Sequence, residues 1–95
     1  MKLLWQPEAI EDLQNIRAYV SRDKPSAARA LVATILTLAE DQLSRFPQAG
    51  RAGRVEGTRE LVVPGTPYIV AYRVRSDVID ILAVHHAARR WPDSF

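Results

Sequence analysis

Three prolines fix the frame in which the first half of this chain can fold. Pro7, Pro25 and Pro47 divide it into two segments, each with helical periodicity. Proline suits the first turn of a helix, where its missing N–H has no partner to lose. The residue before a proline disfavours the α conformation. One helix is therefore predicted to open at Pro7 and end near Ser21 to Lys24. A second, longer helix runs from Pro25 until Pro47 stops it. Glu8, Glu11 and Asp12 lie at the positive end of the first helix dipole. Ala9, Leu13, Ile16 and Val20 share a face, flanked by Ile10 and Tyr19. On the second helix, Ala28, Leu31, Val32, Ile35, Leu38, Ala39 and Gln42 mark a stripe that Leu36, Leu43 and Phe46 widen. Only a few residues join the two helices, so they should form an antiparallel hairpin.

Beyond Gly57 the apolar period changes. Thr58–Val63, Tyr68–Val74 and Val78–His86 are rich in β-branched and aromatic residues and read as strands. Pro64-Gly65-Thr66-Pro67 and Arg75-Ser76-Asp77 are the turns between them. Lys2–Gln6 reads as a further short strand, and Gln48–Gly57 as a loop. The fold class is α+β: an N-terminal strand, then a two-helix hairpin packed on an antiparallel β-meander. Tyr68, Val70, Tyr72 and Val74 share one face of the middle strand, opposite Ile69, Ala71, Arg73 and Arg75. Strict alternation puts Val78, Asp80, Leu82, Val84 and His86 together on the last strand. Both faces carry apolar residues, so alternation leaves open which one meets the helices.

At 95 residues the chain is read as one domain, residues 1–95, with a modest core. It has no cysteine, which excludes disulfides and thiolate metal sites. No segment approaches the ~18 apolar residues of a membrane span. Met1 to Pro7 is too short and too soon interrupted for a signal peptide. A reducing, cytoplasmic setting is expected, with no membrane partner.

Charge is unevenly distributed. The net charge is +2, and every basic residue after Arg45 is arginine. Arginine makes planar, forked contacts with phosphate. Arg51, Arg54, Arg59, Arg73 and one of His85-His86 are the candidate constellation, expected to converge on one concave anionic site. Such a site could stabilise the charge of a phosphoryl transition state, with histidine as acid or base. The competing reading is ordinary: Arg59 with Glu60, and Arg73, would be plain ion pairs, with Glu60, a possible base, more simply balancing the arginines. Adjacent histidines point to opposite faces of a strand, so they cannot share a metal. Neither a metal nor a cofactor is expected. Trp5 and Trp91 are read as packing residues, and Tyr68 and Tyr72 as core rather than base-stacking platforms.

The ordered motifs resemble one family. Ala9-x-x-Asp12-Leu13-x-x-Ile16-x-x-Tyr19-Val20, Pro25-x-Ala27-Ala28 and Phe46-Pro47-x-x-Gly50-Arg51 look like the helical half of RelE/ParE-type toxins. Thr58-Arg59-Glu60-Leu61, Pro67-Tyr68-Ile69-Val70-x-Tyr72-Arg73-Val74 and Ile81-Leu82-x-Val84-x-His86-x-x-Arg89-x-Trp91 are similar to the sheet half. The resemblance implies a toxin of a type II toxin–antitoxin module, held in a hetero-oligomer by its cognate antitoxin. RelE-like members cleave mRNA on the ribosome, whereas ParE-like members inhibit DNA gyrase without catalysis of their own. Carried over, the resemblance makes Arg59, Arg73 and His86 the expected catalytic residues, and Arg51, Arg54 and Arg89 the expected RNA phosphate contacts. RelE's lysine-rich loop is replaced here by arginines, and its C-terminal tyrosine is absent. Five arginines and the His85-His86 pair within 51–86 favour mRNA cleavage, with gyrase inhibition as the alternative. Cleavage predicts that Arg73→Ala with His86→Ala abolishes growth inhibition. Part of the wide second-helix stripe, with the sheet edge, is expected to receive the antitoxin.

Overall fold

The computed structural model describes residues 1–95. Its elements are β1 (Lys2–Trp5), α1 (Pro7–Ser21), α2 (Pro25–Arg45), β2 (Arg51–Ala52), β3 (Arg59–Val62), β4 (Tyr68–Arg75) and β5 (Val78–His86). Pro7 and Pro25 each stand in the first turn of a helix, and α2 ends just ahead of Pro47. The helices fold back on each other through a turn closed by Asp23 N–H and Lys24 N–H donating to the Val20 carbonyl.

Strands β3, β4 and β5 form the expected antiparallel meander. The N-terminal strand adds to it in a way the sequence did not indicate. It pairs parallel with β5, Lys2 opposite Val78 and Trp5 opposite Ile81, making the sheet mixed. The segment expected to be only loop contributes β2, a two-residue edge strand paired with Arg59 and Glu60. The strand order is β1-β5-β4-β3-β2.

The core settles the question of faces. Ala9, Leu13 and Ile16 of α1 and Ile35, Ala39 and Leu43 of α2 pack on Val70, Tyr72, Ile79, Ile81 and Val84. The hairpin thus covers the face bearing Tyr68, Val70 and Tyr72. Both tyrosines are buried there, as packing residues. On α2 the buried stripe is Ala28, Ile35, Ala39 and Leu43; Gln42 is exposed, and Leu36 and Phe46 remain exposed apolar residues.

Strict alternation fails on β5. Ala71 pairs with Ala83, but the next residue, Tyr72, pairs with Ile81. Leu82 is an extra residue, a β-bulge, and a bulge reverses the facing of everything beyond it. Ile81 and Val84 therefore both enter the core. Asp80 and His86, expected on one face, lie on opposite ones, because Asp80 pairs with Arg73 and His86 with Tyr68.

The 50–58 loop is a close turn. Gly53 N–H donates to the Thr58 carbonyl at 2.8 Å, and Thr58 Oγ1 donates to the Val55 carbonyl at 2.6 Å. A β-carbon at Gly53 would sit 2.9 Å from the Thr58 backbone oxygen and closer still to its hydroxyl. Backbone there cannot yield without breaking the turn. Gly53→Ala is expected to cost about 1–3 kcal/mol, read as a lower midpoint in urea unfolding.

Candidate functional site

The charged residues cluster on the sheet face turned away from the hairpin, and they do so in two sets. In the first, the Glu60 carboxylate is 3 % exposed and collects the loop. Arg51 donates to Oε1 through Nη2 at 3.1 Å. Arg54 donates to Oε2 through its backbone N–H at 2.8 Å and its Nε at 3.1 Å. Burial alone would raise the Glu60 pKa. The Arg54 N–H and the two guanidinium groups outweigh that cost, and the net shift is downward. Glu60 is therefore a structural anion that neutralises the arginines rather than a base.

In the second set, Arg75 holds Asp80 through Nε and through Nη2, the latter at 3.0 Å, while Gln6 Nε2 donates to Asp80 Oδ1 at 3.1 Å. The Arg75 hydrogen bonds lower the Asp80 pKa. Arg73 lies opposite Asp80 in the register and lines a cavity with Arg75, Ala83, His85 and the C-terminal residues Pro92 and Phe95.

The remaining expected residues lie elsewhere. Arg59 is paired with Tyr72 in the register, on the hairpin face. Its Nη1 donates to the Gly50 carbonyl at 2.9 Å, pinning the post-helix loop. His86 also lies on that face, its ring edge-on to Tyr68 at 5.7 Å, and its Nδ1 accepts from Ala88 N–H at 3.1 Å. Arg89 follows in the exposed turn after β5. The expected single pocket is thus not formed. Arg51 and Arg54 come together, Arg73 stands in the neighbouring set with His85, the other histidine of the expected pair, and Arg59 and His86 are on the other side of the sheet. The physical reasons are the period-2 geometry of β3 and β4, which separates Arg59 from Arg73, and the Leu82 bulge, which turns His86 away from Asp80.

Two functional-looking residues escape a sequence reading. Asp12 reads as a helix-dipole charge, yet its Oδ2 accepts from Val84 N–H at 2.9 Å, capping β5 where β1 no longer covers it. The same oxygen lies 3.7 Å from His85 Nε2. Burial raises the Asp12 pKa beyond what the Val84 N–H and His85 lower it. Trp91 is more than a packing residue. The Arg54 guanidinium stacks 4.0 Å from its ring centre, His85 meets it edge-on at 5.0 Å, and its Nε1 donates to the His86 carbonyl. Both stand in the motifs that resemble the family, but those motifs do not give their roles, since each acts across the chain: Asp12 on Val84, and Trp91 on Arg54.

A two-helix hairpin on a five-stranded mixed sheet, with an arginine-rich far face closed by a C-terminal tail, defines a RelE/ParE-type domain. The family described as "ParE toxin of type II toxin-antitoxin system, parDE" matches residues 3–91. The chain is 45 % identical over 91 residues to Y4kP of Sinorhizobium fredii, covering 96 % of this chain and 93 % of that protein. It is 33 % identical over 88 residues to Toxin RelE2 of Caulobacter vibrioides, covering 93 % and 97 %. A solved chain of the chromosomal ParDE TA system from P. aeruginosa superposes with a TM-score of 0.82 at 30 % identity, covering 90 % of this chain and 95 % of that one. The chain belongs to the ParE toxin family of type II toxin–antitoxin systems, within the RelE/ParE superfamily.

Proposed function

We propose that this toxin inhibits growth in the ParE manner, by binding DNA gyrase as a protein-binding inhibitor, and does not itself cleave mRNA. One observation carries the reading: Arg73 and His86 lie on opposite faces of the sheet. A metal-independent nuclease needs its cation and its acid or base within reach of a single phosphate. Arg73 and His86 are separated by the sheet itself, and His85, which shares the Arg73 cavity, is taken up by Asp12 and Trp91. Arg51 and Arg54 are already committed to Glu60, and Arg75 to Asp80. The likeness to a ParDE chain points the same way.

The cognate antitoxin is the second partner. Its proposed seat has two parts, the α2 surface where Leu36 and Phe46 remain exposed and the sheet edge where β2 pairs only Arg59 and Glu60. The outer edge of Leu61 and Val62 is left without a strand, and Val62 is exposed. An open strand edge beside apolar side chains suits an extended segment that adds main-chain hydrogen bonds.

The deciding experiment runs two assays on the purified toxin: DNA supercoiling by gyrase, and mRNA integrity in a translating extract. Loss of supercoiling with intact mRNA is the expected result. Arg73→Ala should keep growth inhibition within about twofold of the parent. Cut mRNA with unimpaired supercoiling, or an Arg73→Ala variant that no longer inhibits growth while still folded, would overturn the proposal.

A further inference from the structure

The cavity beside Arg73 has a volume of about 620 Å³. That lies within the ~300–1,000 Å³ of small-molecule sites. Its existence follows from the topology. β1 stops opposite Ile81, so the edge of β5 beyond that point carries no strand. Gln6, Glu8 and Asp12 border the gap at the start of α1, and Pro92, Ser94 and Phe95 wall its other side. That tail is anchored by Trp91, whose ring takes the Arg54 guanidinium at 4.0 Å and whose Nε1 donates to the His86 carbonyl at 3.3 Å.

The Leu82 bulge shapes the floor. On a regular strand consecutive side chains point to opposite faces. Here Leu82 and Ala83 both line the cavity, because the extra residue breaks the alternation. Pro92 and Phe95 add apolar surface from the tail. Arg73 stands among these groups half-buried and unspent. Asp80, its partner in the register, is held by Arg75 and Gln6, and Arg73 forms no salt bridge. His85 is taken up by Asp12 and Trp91. The cavity thus offers one free guanidinium beside an apolar floor, bordered by the carboxylates of Glu8, Asp12 and Asp80.

We infer that this cavity binds a small organic monocarboxylate, its carboxylate forked on the Arg73 guanidinium and its hydrocarbon body on Leu82, Ala83 and Phe95. A guanidinium offers two parallel N–H donors, which match the two oxygens of a carboxylate. One unspent positive charge balances one negative charge. A phosphate dianion would bring a second charge toward three carboxylates, and like charges at close range repel. The hydrocarbon body supplies the remaining attraction, since seating it on Leu82 and Phe95 removes apolar surface from water. The inference does not rest on the gyrase reading: growth inhibition is expected to survive the loss of Arg73, and the test uses neither gyrase nor growth.

The test is titration of the ¹⁵N-labelled full chain, followed by NMR, with hydrocinnamate, its neutral amide, acetate and phenyl phosphate. Hydrocinnamate should give saturable shifts at Leu82, Ala83 and Phe95. The amide lacks the charge and acetate lacks the ring, and each should bind at least tenfold more weakly. Arg73→Gln should weaken hydrocinnamate at least tenfold with the thermal melt unchanged. Arg73→Lys keeps the charge without the fork, so its affinity should fall between those of the parent and the glutamine variant. It serves as the readout should the glutamine variant unfold. Phe95→Ala should weaken hydrocinnamate while leaving acetate as it was. No saturable shift, an amide as tight as the acid, phenyl phosphate tighter than hydrocinnamate, shifts that map to another surface, or a folded Arg73 variant that binds normally would each overturn the inference.

Discussion

Replacing Tyr72 by phenylalanine is expected to lower stability by about 2–4 kcal/mol, because its hydroxyl serves two separate backbone groups. The side chain is fully buried. Its Oη donates to the Pro47 carbonyl and accepts from Gly50 N–H, each at 2.8 Å. Those groups begin the chain's passage from α2 into the sheet. Without the phenol, a buried donor and a part-buried acceptor lose their partner together, and each orphaned group costs about 1–3 kcal/mol. Space to rearrange is scarce: a β-carbon at Gly50 would come within 2.7 Å of the Tyr72 ring and 2.8 Å of the Glu60 carbonyl. Thermal unfolding of Tyr72→Phe checks the expectation, and a melt within a degree of the parent would refute it.

The second large effect is expected at Glu60. Glu60→Ala removes the anion that gathers Arg51, Arg54 and the Arg54 N–H. Removing one partner of a fully buried ion pair costs about 3–5 kcal/mol. Arg51 and Arg54 remain partly in water, so about 2–3 kcal/mol is expected here. Acid should reproduce part of the loss in the parent chain. The Glu60 and Asp80 pKa values are lowered in the folded state from 4.5 and 3.8. Groups shifted this way contribute stability that is present above their unfolded values and lost as pH falls through their folded ones. Asp12 has the opposite sign. Its pKa is raised from 3.8, so ionised Asp12 costs stability above that value, and protonating it on the way down relieves the cost. Urea midpoints measured from pH 7 downward should therefore hold until the pH is below 4.5, then fall. Glu60→Ala should show the smaller fall. Equal slopes in the two proteins would mean that Glu60 contributes nothing to the acid transition.

Much of the fold is legible in the residues. The prolines place both helices, and the change of period places the three meander strands to within a residue or so. The resemblance in ordered motifs also leads to the right superfamily. What cannot be read locally is whatever depends on a partner far along the chain. The parallel pairing of β1 with β5 joins residues 2–5 to residues 78–81. The Leu82 bulge has no signature, since leucine fits either side of a strand, and it alone reverses the facing of His86. The site suffered most from this. Arginines close in sequence, Arg51, Arg54 and Arg59, divide between two faces, because Glu60 draws two of them and the Gly50 carbonyl holds the third. The balancing role of Glu60, by contrast, is apparent from its position among them.

The strand order also bears on synthesis. β5 is the shared neighbour of β1 and β4, and α1 rests on it. A nascent chain can wind its helical hairpin early, but the platform for that hairpin is translated last. Closing so long a loop is slow and unfavourable until the final contacts form. The apolar face of the hairpin therefore stays uncovered until β4 and β5 have been made, and the domain cannot close before then.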